Sequence, residues 1–122
     1  MLIIKGKVST AGGPIEASEL KAGMLILDRN HRARKLLSVE EKTADGLLRF
    51  KRSGAVLSAD AVILTAQGGK RGGGHVKMMT PTKKIIDDEA FIEPRTAAGY
   101  ELTVENGSNL FVDGYCVSLK GE

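Results

Sequence analysis

Glycine punctuation limits what this chain can fold into more than any other feature. Fifteen glycines are spread along the 122 residues, and the runs between them are rich in β-branched and aliphatic side chains. That pattern reads as many short strands joined by turns, with little room for helix. Leu2 to Val8 leads into Ala11-Gly12-Gly13-Pro14, where paired glycines before a proline turn the chain. Ser18 is placed to cap Glu19-Leu20-Lys21-Ala22, with Gly23 as a left-handed stop, so one helical turn is expected there. Met24 to Asp28 reads as a strand and Asp28-Arg29-Asn30-His31 as a polar turn.

Further along, Ala33 to Thr43 and Leu47 to Arg52 read as the arms of a hairpin turning at Ala44-Asp45-Gly46. Ala55 to Leu57 and Val62 to Thr65 are two more strands bracketing Ser58-Ala59-Asp60. Near the end, Asn106-Gly107 and Asp113-Gly114 are strong hairpin signals. They separate Tyr100 to Val104, Asn109 to Val112 and Tyr115 to Leu119 into an expected three-stranded meander. Residues 66–95 are the least strand-like stretch. Within it Gly68-Gly69-Lys70-Arg71-Gly72-Gly73-Gly74-His75 reads as a flexible loop. Its charge is segregated: Lys70, Arg71, His75, Lys77, Lys83 and Lys84 precede Asp87, Asp88, Glu89 and Glu93, so the two blocks are placed to neutralise each other.

Composition narrows the class. Hydrophobic residues are 42% and charged residues 27%, the balance of a folded globular chain and not of a disordered one. One domain spanning 1–122 is expected, with no repeat and no linker. Aromatic residues are only 4% and tryptophan is absent, so the core must be aliphatic, and platforms for stacking bases are few. The lone Cys116 excludes an internal disulfide and a multi-cysteine metal site, and it fits a reducing compartment. The start of the chain, with its apolar residues before its charges, is not built like a secretory signal. No stretch approaches the roughly 20 apolar residues of a membrane helix. Cytoplasmic folding without a membrane partner is the expectation.

Two stretches resemble the matching ends of the Hint (hedgehog and intein) domain family. Val8-Ser9-Thr10-Ala11-Gly12-Gly13-Pro14-Ile15 followed by Glu19-Leu20-Lys21-Ala22-Gly23-Met24-Leu25-Ile26 is similar to the family's opening strand, T-x-x-G turn and "I-x-E-L-K-x-G-D-x-V". Tyr100-Glu101-Leu102-Thr103-Val104-Glu105, Asn109, Phe111-Val112-Asp113-Gly114 and Val117 resemble its last strands, "Y-x-L-x-V-E … N-F-x-V-N-G-x-x-V-H-N". Gly54 to Val62 looks like the middle motif that ends T-x-x-H. The resemblance implies an all-β fold, a compact β-roll or barrel of many short strands with at most one short helix.

The same resemblance implies where chemistry would sit. Splicing begins when a Cys or Ser at the first position attacks the preceding carbonyl; here that position aligns with Met1, a thioether with no residue before it in this sequence. The middle-motif histidine, which assists at the scissile amide, corresponds to Ala61, with Ser58 where the family has threonine. The closing His-Asn pair corresponds to Ser118-Leu119, followed by Lys120-Gly121-Glu122. Three replacements lead to the expectation of a non-enzyme without cofactor or metal: a structural or interaction module with a protein partner or self-assembly. Such degenerate modules suit a phage or mobile-element protein, placing it in the host cytoplasm or the virion.

Other sites are weaker. Cys116 lies between Tyr115 and Val117 on an expected strand and reads as a core residue; His31 and His75 have no metal-ligand spacing. The alternative function is a binder of nucleotide or nucleic acid through residues 68–77. There Gly72, Gly73 and Gly74 bare backbone N–H groups, and Lys70, Arg71 and Lys77 supply charge, as an anion-binding nest requires. The net charge of +3 agrees with that without demanding it. An electrostatic site on this loop predicts that affinity for a nucleic acid falls steeply as salt rises and drops when Lys70, Arg71 and Lys77 are changed to Ala; a flat salt response in a binding titration excludes it.

Overall fold

A computed structural model describes residues 1–65, 68–79 and 85–119. Lys83 and Lys84 of the basic block and Lys120-Gly121-Glu122 lie outside them. The described residues form an all-β structure whose strands run antiparallel to their neighbours: β1 (Ile3–Lys5), β2 (Lys7–Thr10), β3 (Gly13–Glu16), β4 (Leu25–Leu27), β5 (Ala33–Phe50), β6 (Val56–Ser58), β7 (Val62–Thr65), β8 (Gly68–Arg71), β9 (Gly74–Met79), β10 (Ile85–Val104), β11 (Asn109–Val112) and β12 (Tyr115–Ser118). The order across the sheet is β8-β7-β12-β11-β2-β4-β5-β6-β1-β10-β9, with β3 beside β2. Strand β5 also pairs with β10, so it belongs to both halves.

Two of these strands are long. The hairpin expected at Ala44-Asp45-Gly46 does not form, because β5 runs through it for 18 residues against β10, which has 20. Gly46 does take a positive φ of 97°, but it does so in a bulge: Gly46 alone lies opposite Pro94 and Arg95, between the pairs Asp45↔Thr96 and Leu47↔Glu93. A bulge bends the ladder and increases its twist. Proline suits the position, since its missing N–H would break a regular ladder. Gly46 also accepts a hydrogen bond from Ala59 N at 3.0 Å, and a Cβ there would stand 3.3 Å from that of Ala59.

The remaining turns divide in the same way. Asp113 (φ 48°) and Gly114 (φ 87°) form the two-residue turn between β11 and β12, as their types require. Asn106-Gly107 turns the chain too, Gly107 N donating to Val104 O at 3.0 Å. It does not make a hairpin, because β11 pairs with β2 and β12 while β10 stays with β5 and β1; the expected meander is therefore one hairpin and a crossing between halves. The single helical turn is a 3-10 segment at Ala17–Glu19 with Glu16 at its N-cap and no side-chain cap, so Ser18 lies inside it and does not start it. Gly23 has the expected positive φ of 97°.

Residues 68–79 are not a loose loop. They pair as β8 with β7 and as β9 with β10. Gly73, in the turn between them, lies against β10, where a Cβ would come within 2.9 Å of the Ala90 carbonyl. Glycine there permits close backbone approach. The charge blocks do meet across the β9–β10 ladder, Lys77 opposite Asp87 and His75 opposite Glu89, and His75 Nε2 is hydrogen-bonded to Asp87.

The core is aliphatic, as the scarcity of rings requires. Ile3, Val8, Ile26, Leu36, Leu48, Leu57, Ile63, Leu110 and Val117 are fully enclosed, each contributing roughly 1.5–3 kcal/mol by leaving water. Phe50 stacks on Tyr115 with centroids 4.3 Å apart. Tyr115 donates its hydroxyl to Asp88, a buried carboxylate on β10 that also receives the backbone N–H groups of Arg52, Ser53 and Glu89. Burial pushes the Asp88 pKa up, yet these hydrogen bonds outweigh burial and hold it below the usual carboxylate value. The tie joins β12 in one half to β10 in the other. Tyr115→Phe is expected to cost about 1.5–3 kcal/mol in urea unfolding. Because the folded pKa is depressed, the contribution of Asp88 is fully present above the unfolded pKa of about 3.9 and fades as pH falls through the folded value; an acid limb that Asp88→Asn leaves unchanged would count against it.

Candidate functional site

The strongest candidate is the place where the two ends of the described chain meet. Strand β1 lies between β6 and β10, Ile3 pairing with Leu57 on one side and Tyr100 on the other. Immediately before it, Met1 and Leu119 both pack on the core and share an open cavity of about 270 Å³, lined also by Glu101, Leu102, Thr103, Val104 and Gly107. Leu119 is held there by its N–H, which donates to Ser108 O at 2.9 Å. Met1 and Ser118-Leu119, more than a hundred residues apart in sequence, are thus brought together.

Ser58, at the end of β6, is the polar centre of this place. Its buried hydroxyl accepts the Leu2 N–H at 2.7 Å and donates to Asp60, while its own N–H donates to Leu2 O at 2.9 Å. A Ser-x-Asp bend thereby clamps the backbone of residue 2 on both sides. Asp60 Oδ2 also stands 3.7 Å from the Met1 nitrogen, although its side chain is 70% exposed. Ala61 follows, fully buried, its N–H donating to Ser58 O at 3.0 Å.

The sequence reading placed Met1, Ser58, Ala61 and Ser118-Leu119 in this frame. Asp60 was read only as part of a bend. Its two-residue spacing from Ser58 at a strand end was the signal, since short acids there bond to a neighbouring hydroxyl or backbone group.

Chemically the site is sparse. Its described side chains offer one thioether, alkyl groups, the hydroxyls of Ser58 and Thr103 and the carboxylates of Asp60 and Glu101. Cys116 lies apart on β12, and burial pushes its thiol up to about 11, so it is held protonated at neutral pH. No group of three or more histidine, cysteine or acidic side chains suited to a metal occurs among the described residues.

The basic loop is distributed over two strands. Lys70 and Arg71 are on β8, opposite Ile63 and Val62, and Lys77 is on β9 opposite Asp87. The Lys70 ammonium donates to the Gly73 carbonyl at 3.1 Å. Gly72 and Gly74 have positive φ values of 72° and 121°, which explains two of the three glycines by conformation, as approach to β10 explains the third.

No protein-family profile and no curated protein sequence matches the chain. Solved structures do match, over nearly its whole length. A bacterial intein-like domain from Clostridium thermocellum superposes with a TM-score of 0.73 at 15% identity, covering 97% of this chain and 98% of that one. The gp41-1 intein gives 0.71 at 15% identity over 96% and 97%, and the MchDnaB-1 intein 0.70 at 10% identity over 97% and 99%. The chain therefore has the intein, or Hint, fold; identities of this size speak for the fold alone.

Ser58→Ala removes the hydroxyl that accepts the Leu2 N–H and donates to Asp60, leaving the buried Leu2 N–H unpaired while the backbone bond from Ser58 N to Leu2 O remains. It is expected to cost about 1–3 kcal/mol in denaturant unfolding, with Ser58→Thr recovering most of the loss. Equal stability of wild type and Ser58→Ala would show that the clamp carries no weight.

Proposed function

We propose that this chain is an intein-fold domain that neither splices nor cleaves itself and that serves as a structural or interaction module. One observation carries the reading: the junction that brings Met1 and Leu119 together is built as such a fold requires, yet it presents a thioether and an alkyl chain where the chemistry needs nucleophiles. A thioether has no proton to lose and forms no stable ester with an acyl group. Ala61 offers a methyl group where an imidazole would hold or move a proton. The buried Ser58 hydroxyl is engaged between the Leu2 N–H and the Asp60 carboxylate.

What remains is a scaffold in which β3, β8 and β9 have one strand neighbour each among the described residues, with exposed apolar side chains at Leu25, Leu37, Ile85, Phe91 and Ile92. Features of this kind serve association.

The test is intact mass. The chain, placed between two unrelated flanking segments and incubated with excess thiol at neutral pH, is expected to keep the mass of the uncut fusion. A thiol-dependent fragment, or a product in which the flanks are joined, would overturn the reading.

A further inference from the structure

Where β5 ends, β10 continues without it. Ala90 pairs with Phe50, and the last link is Lys51 N donating to Glu89 O at 2.9 Å. The chain then turns away, closed by Gly54 N donating to Phe50 O at 3.0 Å. Residues 85–89 of β10 still pair with β9 on their other side. Backbone groups of successive residues in an antiparallel strand point to opposite edges. The Glu89 carbonyl, bonded to Lys51, fixes which edge is which: the N–H and C=O of Asp87 and Ile85 lie on the edge that β5 has left. No described strand pairs with them there.

A cavity of about 480 Å³ runs along this overhang, lined by Ile85, Ile86 and Asp87 of β10, by Arg52, and by Asp113 and Tyr115 of the β11–β12 hairpin. Its charge opposes that of the chain. The protein carries +3 overall, whereas the carboxylates of Asp87, Asp88 and Asp113 face this cavity with Arg52 as its one cation among the described lining residues. Asp88 is closed by its hydrogen bonds and Asp87 is shared with His75. Asp113 gives one oxygen to the Lys7 N–H at 2.8 Å, and its other oxygen has no hydrogen-bond partner among the described residues. Ile85, 59% exposed, adds an apolar rim.

We propose that this overhang is a docking groove for an extended strand of a partner protein carrying a lysine or arginine side chain. The strand adds antiparallel to β10 where β5 leaves off. Its backbone bonds to Asp87 and Ile85, and its cationic side chain enters the cavity towards Asp113 and Asp87. Strand addition draws affinity from main-chain hydrogen bonds and specificity from the pocket that receives alternate side chains. This deepens the reading of the chain as an interaction module by naming its surface and partner class, and it does not depend on the loss of splicing.

The probe is a short synthetic peptide of alternating valine and threonine with a central lysine, titrated into isotope-labelled protein and compared with the same peptide carrying glutamate. The amide resonances of Asp87 and Ile85 are expected to shift saturably with the lysine peptide, and the glutamate peptide to bind about tenfold more weakly. The double variant Asp87→Asn, Asp113→Asn, checked for an unchanged circular-dichroism spectrum, is expected to lose that preference. Absence of a saturable shift at Asp87 and Ile85, or equal binding of the two peptides, overturns the proposal. Shifts confined to β3 or β8 also overturn it while sparing the interaction-module reading. Broadening of the same two amides with protein concentration, without peptide, makes a second copy the occupant and overturns the partner assignment. Self-cleavage in the mass experiment would remove the non-splicing reading and leave this groove untouched.

Discussion

The ladder between β5 and β10 is the constraint to which the other strands conform. Strands of 18 and 20 residues are several times the common length, and right-handed twist accumulates along them, so a pair this long cannot stay flat. The bulge of Pro94 and Arg95 against Gly46 takes up part of the bend. On the far side of the bulge Leu47 to Arg49 meet β6 while staying paired with β10, and at the other end of β5 Ala33 to Lys35 meet β4. One strand thereby serves two halves of the sheet, and the Tyr115–Asp88 bond ties them a second time, next to the end of β5 where Phe50 stacks on Tyr115.

This arrangement explains which parts of the fold could be read from sequence. Asp113-Gly114 was legible because a two-residue turn needs both residues at positive φ and the chain supplies the types that accept it. Ala44-Asp45-Gly46 has the same signature but is spent on a bulge; the difference lies in a partner strand some fifty residues away, which no local pattern contains. Asn106-Gly107 turned as expected, yet the strand after it found β2. The glycines at 72–74 were read as freedom, and they are close contact and required conformation. Asp88 was hidden in an acidic run, although the inward period of Ile86, Asp88 and Ala90 separates it from its exposed neighbours Asp87 and Glu89.

The candidate site was legible in its frame and not in its detail. Motif order placed Met1, Ala61 and Ser118-Leu119 together, and closure of the sheet does bring Met1 and Leu119 into one cavity. Order in sequence cannot show how a backbone is gripped, and the Ser58–Asp60 clamp on residue 2 depends on the geometry of the bend. The clamp holds the chain in place whether or not any bond is made or broken there.

The meeting of the two ends also has a kinetic side. Ile3 finds its β10 neighbour at Tyr100, and Val8 finds its β11 neighbour at Val112. Contacts of such sequence separation must be closed against a large loop entropy, so folding is slow compared with that of chains built from local pairs. During synthesis β1 and β2 emerge well before β10 and β11, the strands that complete their pairing. Until then their unpaired backbone is open to other nascent copies, and the closure that completes the native sheet is also what makes its assembly late and exposed.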